Sequence, residues 1–245
     1  MGEDDGMHMD GKTGTGRQRV VLASWLAVIG LAAAAFVVRS PVMPSASGTT
    51  ASALPAPTID EPATGSPKTE TAVLAGGCFW GVQGVFQHVK GVSAATSGYA
   101  GGDKASADYD AVSTGTTKHA ESVRITYDPT QVTYGQLLRV FFGVVQDPTE
   151  LNYQGPDVGP QYRSVIFTQD VSQQKIANAY IAQLNQAGSF AAPIVTTVTP
   201  GAQFFPAEAY HQDYLSLHPN NSYIVANDLP KLGALKSDFP ELYRD

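Results

Sequence analysis

The chain has 245 residues, 43% of them hydrophobic and 15% charged, with a formal net charge of -7 and a single cysteine, Cys78. One thiol excludes an intrachain disulfide and any zinc cluster that needs two or more thiolates. The acidic balance argues against a nucleic-acid binder, which would present a basic stripe to the phosphates.

Residues 1–19 are expected to form a cytoplasmic N-terminal segment. They are followed by Val20 to Val38 (VVLASWLAVIGLAAAAFVV), an uncharged apolar run. As a helix rising about 1.5 Å per residue it reaches roughly 28 Å, enough to cross a bilayer. Lys12, Arg17 and Arg19 precede it, and this positive bias sends the rest of the chain across the membrane. A retained anchor and a cleaved signal both fit the run, with Ser45-Ala46-Ser47 only a loose cleavage site. Residues 39–69 are rich in Pro, Ala, Ser and Thr. With so little apolar surface to bury, they are expected to be a flexible linker. The folded domain is expected over residues 70–245, a usual size for one core.

Within that domain Ala72 to Ala75 form a short apolar strand running into Gly76-Gly77-Cys78. Phe79, Val82, Phe86 and Val89 follow at helical spacing up to Lys90-Gly91. Cys78 therefore sits where a strand turns into a helix. Ser122 to Tyr127 alternate as a half-buried strand, and Thr133 opens a helix with a Thr-x-x-Gln capping box. Arg163 to Thr168 form a strand, Ser172 to Ala187 a helix, Ile194 to Thr199 a strand and Ala207 to Leu217 a short helix after Pro206. The irregular interleaving favours an α+β fold over a regular parallel sheet.

Cys78 is either a small buried hydrophobe or a nucleophile whose thiolate is stabilised by the helix N-terminus. Glu121 shares parity with Val123, Ile125 and Tyr127 if the strand extends back one step. Its carboxyl would then be desolvated and hold a proton near neutral pH; the alternative is a strand-end glutamate in solvent. Tyr109 and Tyr162 could donate to an oxyanion or simply pack in the core. His211 and Asp213 invite a Cys/His/Asp triad, although a structural pair is the commoner outcome. The remaining histidines have no metal-ligand spacing.

GCFWG at 77–81, SGYAGG at 97–102, HAESVRI at 119–125, DPTELN at 147–152, QGPDVGPQYRS from Gln154 and YHQDYL at 210–215 together resemble the A-type peptide methionine sulfoxide reductases. The resemblance implies a two-layer α+β sandwich with a ferredoxin-like mixed-sheet core. It implies Cys78 as nucleophile, Phe79 and Trp80 as the apolar cage for the substrate methyl group, and Glu121 as the acid that protonates the sulfoxide oxygen. It further implies Tyr109 and Tyr162 as oxygen-holding hydroxyls and Asp157 as a residue shaping the site. The reaction implied is reduction of methionine S-sulfoxide, in proteins and possibly free, with a Cys78 sulfenic acid left behind. No bound cofactor is expected, and the chain is expected to act as a monomer.

Many members of that family carry a second cysteine in the C-terminal tail. Here the tail has none, so an external thiol or a thioredoxin-like protein must re-reduce Cys78. Lys118 stands where the family usually has glycine, Gln146 where histidine is frequent and Tyr153 where arginine is frequent. The catalytic domain is expected outside the cytoplasm. The rival readings are a thiol peroxidase or Cys/His hydrolase using His211, and a tethered binding module with a Phe79-Trp80 pocket.

Overall fold

A computed structural model describes residues 54–61 and 69–245; the expected membrane segment, residues 20–38, lies outside them. Among the described residues no helix is long and apolar enough to cross a membrane.

The chain runs β1 (Glu70–Ala75), α1 (Phe79–Gln87), β2 (Val92–Ala100), α2 (Tyr109–Ser113), β3 (Ala120–Tyr127) and α3 (Tyr134–Val140), which continues as a π-helical turn, Phe141–Val145. A two-stranded ribbon, β4 (Tyr153–Gln154) and β5 (Asp157–Val158), precedes β6 (Val165–Thr168) and α4 (Val171–Gln186). Then come β7 (Thr197–Pro200), β8 (Phe204–Pro206), the single turn α5 (Tyr214–Leu217) and α6 (Leu229–Asp238). Six strands form one mixed sheet in the order β7-β6-β1-β3-β2-β8, with only the β6–β7 pair parallel. This is the α+β class that the interleaving implied.

Alternation sets the two faces of the sheet. Ala72 and Leu74 of β1 and Val123, Ile125 and Tyr127 of β3 join one large apolar core with Phe79, Val82 and Phe86 of α1 and Ile176, Tyr180 and Leu184 of α4. Val73, Ala75, Val165 and Phe167 face the other side, in a smaller cluster packed by Ala202 and Phe204. Helix α3 starts as its sequence predicts: Thr133 accepts from the Gln136 N–H, and the Gln136 side chain accepts from the Thr133 N–H. The helix expected over Ala207 to Leu217 is instead broken. A turn at Ala209–His211 and the one-turn α5 are separated by Asp213, whose φ of 57° lies in the left-handed region.

Residues 54–61, assigned by composition to the linker, are packed on the domain through Leu54, which lies against the main core, and through a set of hydrogen bonds. The Tyr180 hydroxyl donates to the Pro55 carbonyl at 2.8 Å, and the Gln183 amide donates to Ala56 O while accepting from Thr58 N. Asp60 accepts from the Gly135 N–H at 2.8 Å and from the Thr133 hydroxyl, so its carboxylate sits at the N-terminus of α3. A Cβ at Gly135 would come within 2.6 Å of that carboxylate, which explains a glycine in the first turn. At the end of the segment the buried Tyr127 hydroxyl lies 3.2 Å from both Glu61 and Glu70. One phenolic hydrogen cannot serve two carboxylates, so the cluster favours a proton on one of them.

Burial first, and then the charge of Glu70, push Glu61 up to about 7. A raised acid stabilises the fold below its unfolded value near 4.5, and this contribution is lost as pH rises through about 7. Glu61→Gln is therefore expected to remove a loss of thermal stability between about pH 5 and pH 8 that the parent chain shows. Melting temperatures of the two proteins across that range provide the check, and parallel profiles would refute the shared-proton cluster.

Candidate active site

Cys78 is the residue that caps α1, and it is 8% exposed. The turn delivering it needs glycine at position 77. Gly77 has φ +92°, and a Cβ there would meet Gln154 at 2.9 Å. Gln154 is itself fixed by a reciprocal pair of hydrogen bonds with the Asp147 backbone, which sets the ribbon against the turn.

Strand β3 begins at Ala120, so Glu121 falls on the same face as Val123, Ile125 and Tyr127 and is 3% exposed. Its Oε2 accepts the Phe79 N–H at 3.0 Å, one of the free donors in the first turn of α1. Burial outweighs this bond and pushes the carboxyl up to about 8. Glu121 therefore holds a proton at neutral pH beside the sulfur.

The helix N-terminus does act on Cys78, through the Trp80 backbone N–H. It does not prevail. Burial, followed by the charges of Glu121 and Asp228, raises the thiol well above its ordinary value, so the resting form is the thiol and not the thiolate that the helix terminus alone would favour.

Tyr109 and Tyr162 both lie within the electrostatic reach of Cys78 and Glu121, and burial keeps both phenols protonated. Tyr109 opens α2, where Glu208 accepts its N–H at 2.9 Å and also accepts the Tyr99 hydroxyl at 2.8 Å. Glu208 thus ties the Tyr109 segment to β2, a role that nothing local in its sequence signals. Asp157 interacts with both Cys78 and Glu121, and its Oδ2 accepts the Tyr223 hydroxyl.

Phe79 is buried, with its ring centroid 5.0 Å from that of His211. Trp80 stacks on Tyr214 at 3.8 Å and meets Tyr223 edge-on at 6.0 Å. Its indole N–H donates to His211 Nδ1 at 3.2 Å. Indole only donates, so Nδ1 is an acceptor, and burial keeps the imidazole neutral. Asp213 accepts instead from the Gln87 amide at 2.6 Å. His211 and Asp213 therefore form no triad with Cys78, and the hydrolase arrangement is absent from this geometry.

A cavity of about 290 Å³ opens beside Cys78. Of the catalytic and substrate-binding residues expected from the sequence, Cys78 and Asp157 line it, and so does Gln146, the residue standing where the family frequently has histidine. The rest of its wall comes from the π-helical turn through Gln146, from the ribbon, and from Tyr223, Asn227 and Lys231. The amide atoms of Gln146 are buried there with no partner. Tyr223 to Lys231 lie beyond the motif-bearing part of the chain, and Pro230, at the start of α6, is the one local mark of structure there. Lys118 is a solvated loop residue and Tyr153 is 39% exposed.

The family model for peptide methionine sulfoxide reductase matches residues 70–241. Peptide methionine sulfoxide reductase MsrA 2 of Mesorhizobium japonicum is 61% identical over 187 residues, covering 76% of this chain and 95% of the relative. A Synechocystis protein of the same name is 48% identical, covering 71% and 81%. Among solved structures, methionine sulfoxide reductase A of Corynebacterium diphtheriae superposes with a TM-score of 0.53 at 37% identity, covering 63% of this chain and 77% of that one. The reduced form of Mxr1 from Saccharomyces cerevisiae gives 0.56 at 30%, covering 64% and 92%.

A Cβ on Gly81, in the first turn of α1, would fall 2.0 Å from Asp228 Oδ1, an atom of a fully buried side chain with little room to retreat. Gly81→Ala is expected to destabilise the protein by about 1–3 kcal/mol through overpacking, despite the better helix propensity of alanine. Urea unfolding measures this, and an unchanged or raised midpoint would contradict the packing described.

Proposed function

The chain belongs to the peptide methionine sulfoxide reductases, and on that premise we propose that Cys78 is the nucleophile and Glu121 the proton donor in thiol-dependent reduction of methionine S-sulfoxide. The observation that carries these roles is the buried carboxyl of Glu121, pushed up to about 8 and bonded to the residue after the only cysteine.

A sulfoxide oxygen is a poor leaving group until it is protonated. Glu121 gives its proton to that oxygen as the sulfur of Cys78 attacks the substrate sulfur. The carboxylate left on Glu121 takes up the proton that the thiol gives up. The attack forms a transient bond between the two sulfurs. The hydroxyl then passes to the cysteine sulfur, a new S–O bond forming there as the substrate S–O bond and the transient S–S bond break, so that a thioether leaves and Cys78 carries the hydroxyl as sulfenic acid. The protonated phenols of Tyr109 and Tyr162 hold the oxygen during transfer, and Asp157 shapes the wall beside them. Trp80, fixed by Tyr214 and His211, supplies with Phe79 the apolar surface for the methyl group. The β6-β1-β3-β2 portion of the sheet, with α1 crossing from β1 to β2, supports reading the core as ferredoxin-like.

Regeneration follows from the cysteine count. An external thiol attacks the sulfenic sulfur, water leaves and a mixed disulfide forms; a second thiol releases Cys78. A thioredoxin-like protein or a small dithiol supplies both thiols. The charge bias around residues 20–38 supports a catalytic domain outside the cytoplasm, repairing oxidised proteins there. N-terminal sequencing and fractionation of the mature protein test that placement, and a soluble cytoplasmic pool with an intact N-terminus would oppose it.

With dithiothreitol as reductant, the chain is expected to turn over the S epimer of a methionine sulfoxide peptide, and Cys78→Ser to abolish the reaction. Failure on the S epimer would overturn the assignment. Glu121→Gln is expected to lower the rate by about 10² to 10⁴. Because the acid must carry its proton, kcat/KM should fall as pH rises through about 8. That descending limb should be missing from Glu121→Gln, so an unaltered limb would assign it to another group.

A further inference from the structure

The wall of the cavity beside Cys78 is anionic. Asp147, Glu150 and Asp157 line it, and Lys231 is its one basic residue among the described residues. Lys231 projects from α6. Its Nζ lies 3.3 Å from Asp228 Oδ1 and would be 3.1 Å from a Cβ on Gly81, so the ammonium rests against the first turn of the helix that Cys78 caps.

Asp228 is an unusual partner. Its side chain is fully buried, and its Oδ2 has no hydrogen-bond partner. A buried carboxylate with half of its acceptor capacity unused is costly, which marks it as a group held for a purpose beyond stability. The Lys231 side chain, in contrast, remains 22% exposed and shares the cavity with the sulfur.

We propose that Lys231 is a positioning residue that controls the ionisation of Cys78: its ammonium rests on Asp228 while the sulfur is a thiol and turns to the sulfur when the thiolate forms. The exchange keeps the ammonium opposite a negative group in both states. It also gives this C-terminal segment, which has no cysteine, a part in the reaction cycle. Burial and the Asp228 charge both hold the thiol up, so the cation is needed at the moment the thiolate forms. The other ionisable groups acting on the sulfur or acted on by it are Glu121 of β3, Asp157 of β5, and Tyr109, Tyr162 and Tyr223. None of them is a cation. The proposal rests on Cys78 being the reactive thiol.

Cys78 is the only cysteine, so iodoacetamide alkylation of the full-length protein followed against pH reads its ionisation without any sulfoxide. Lys231→Met is expected to move the alkylation midpoint up by about one pH unit, slowing alkylation at neutral pH about tenfold. Lys231→Arg should restore it, and Asp228→Asn should move it down. An unmoved midpoint in Lys231→Met, a failure of arginine to rescue, or an Asp228→Asn midpoint that stays or rises would each overturn the proposal. If the buried Asp228 variant does not fold, the methionine and arginine variants at the more exposed position decide alone. Failure of the reductase reading would appear separately, as absent turnover of the S epimer by a chain whose Cys78 still titrates.

Discussion

The hydrogen bond from the Phe79 N–H to Glu121 is the contact on which the site depends. It ties the edge of β3 to the opening turn of α1, and it forces a carboxyl into a position with almost no access to water. A backbone donor stabilises the ionised form of a carboxylate, while desolvation destabilises it. Here desolvation prevails, and the bond fixes the carboxyl at the opening turn of α1 without keeping it charged. The same burial governs Cys78, so acid and thiol both rest in their protonated forms.

Holding that arrangement requires α1 to be fixed on several sides. Below it lies the sheet, through Phe79, Val82 and Phe86. At its first turn the Asp228 carboxylate is in contact with Gly81, and Leu215 packs against Gly84 so closely that a Cβ there would come within 2.5 Å. The glycines of this helix, poor formers by propensity, are where later parts of the chain approach its backbone. The segment 54–61 acts at a distance from the sulfur. It closes the N-terminus of α3, and α3 continues into the turn whose Val144 and Val145 line the cavity.

The sequence was legible where a local rule applied. The capping box at Thr133 and Gln136, the α4 periodicity and the parity of Glu121 each depend on spacing within one element. The broken helix around Asp213 escaped the pattern because its side chains answer to distant partners: the Gln87 amide binds the Asp213 carboxylate, and Gln83 accepts its N–H. Residues 54–61 escaped for a different reason. Composition measures apolar area, and beyond the single Leu54 this segment is held by polar contacts to Tyr180, Gln183, Gly135 and Tyr127 that only folding brings near.

By itself the sequence determined that one cysteine stands alone at a strand-to-helix turn and that an acid shares a face with apolar residues. It also determined that Cys78 has no second cysteine in this sequence with which to form a disulfide. Those are matters of inventory and periodicity. Only the tertiary structure decided the protonation of the pair, because desolvation depends on what covers a group and not on its neighbours in sequence. It likewise decided that His211 binds Trp80 and not Cys78, and that the tail after His218 returns with Tyr223, Asp228 and Lys231 to the sulfur. A charge acts through space, and the chain had to close on itself before those charges could reach Cys78.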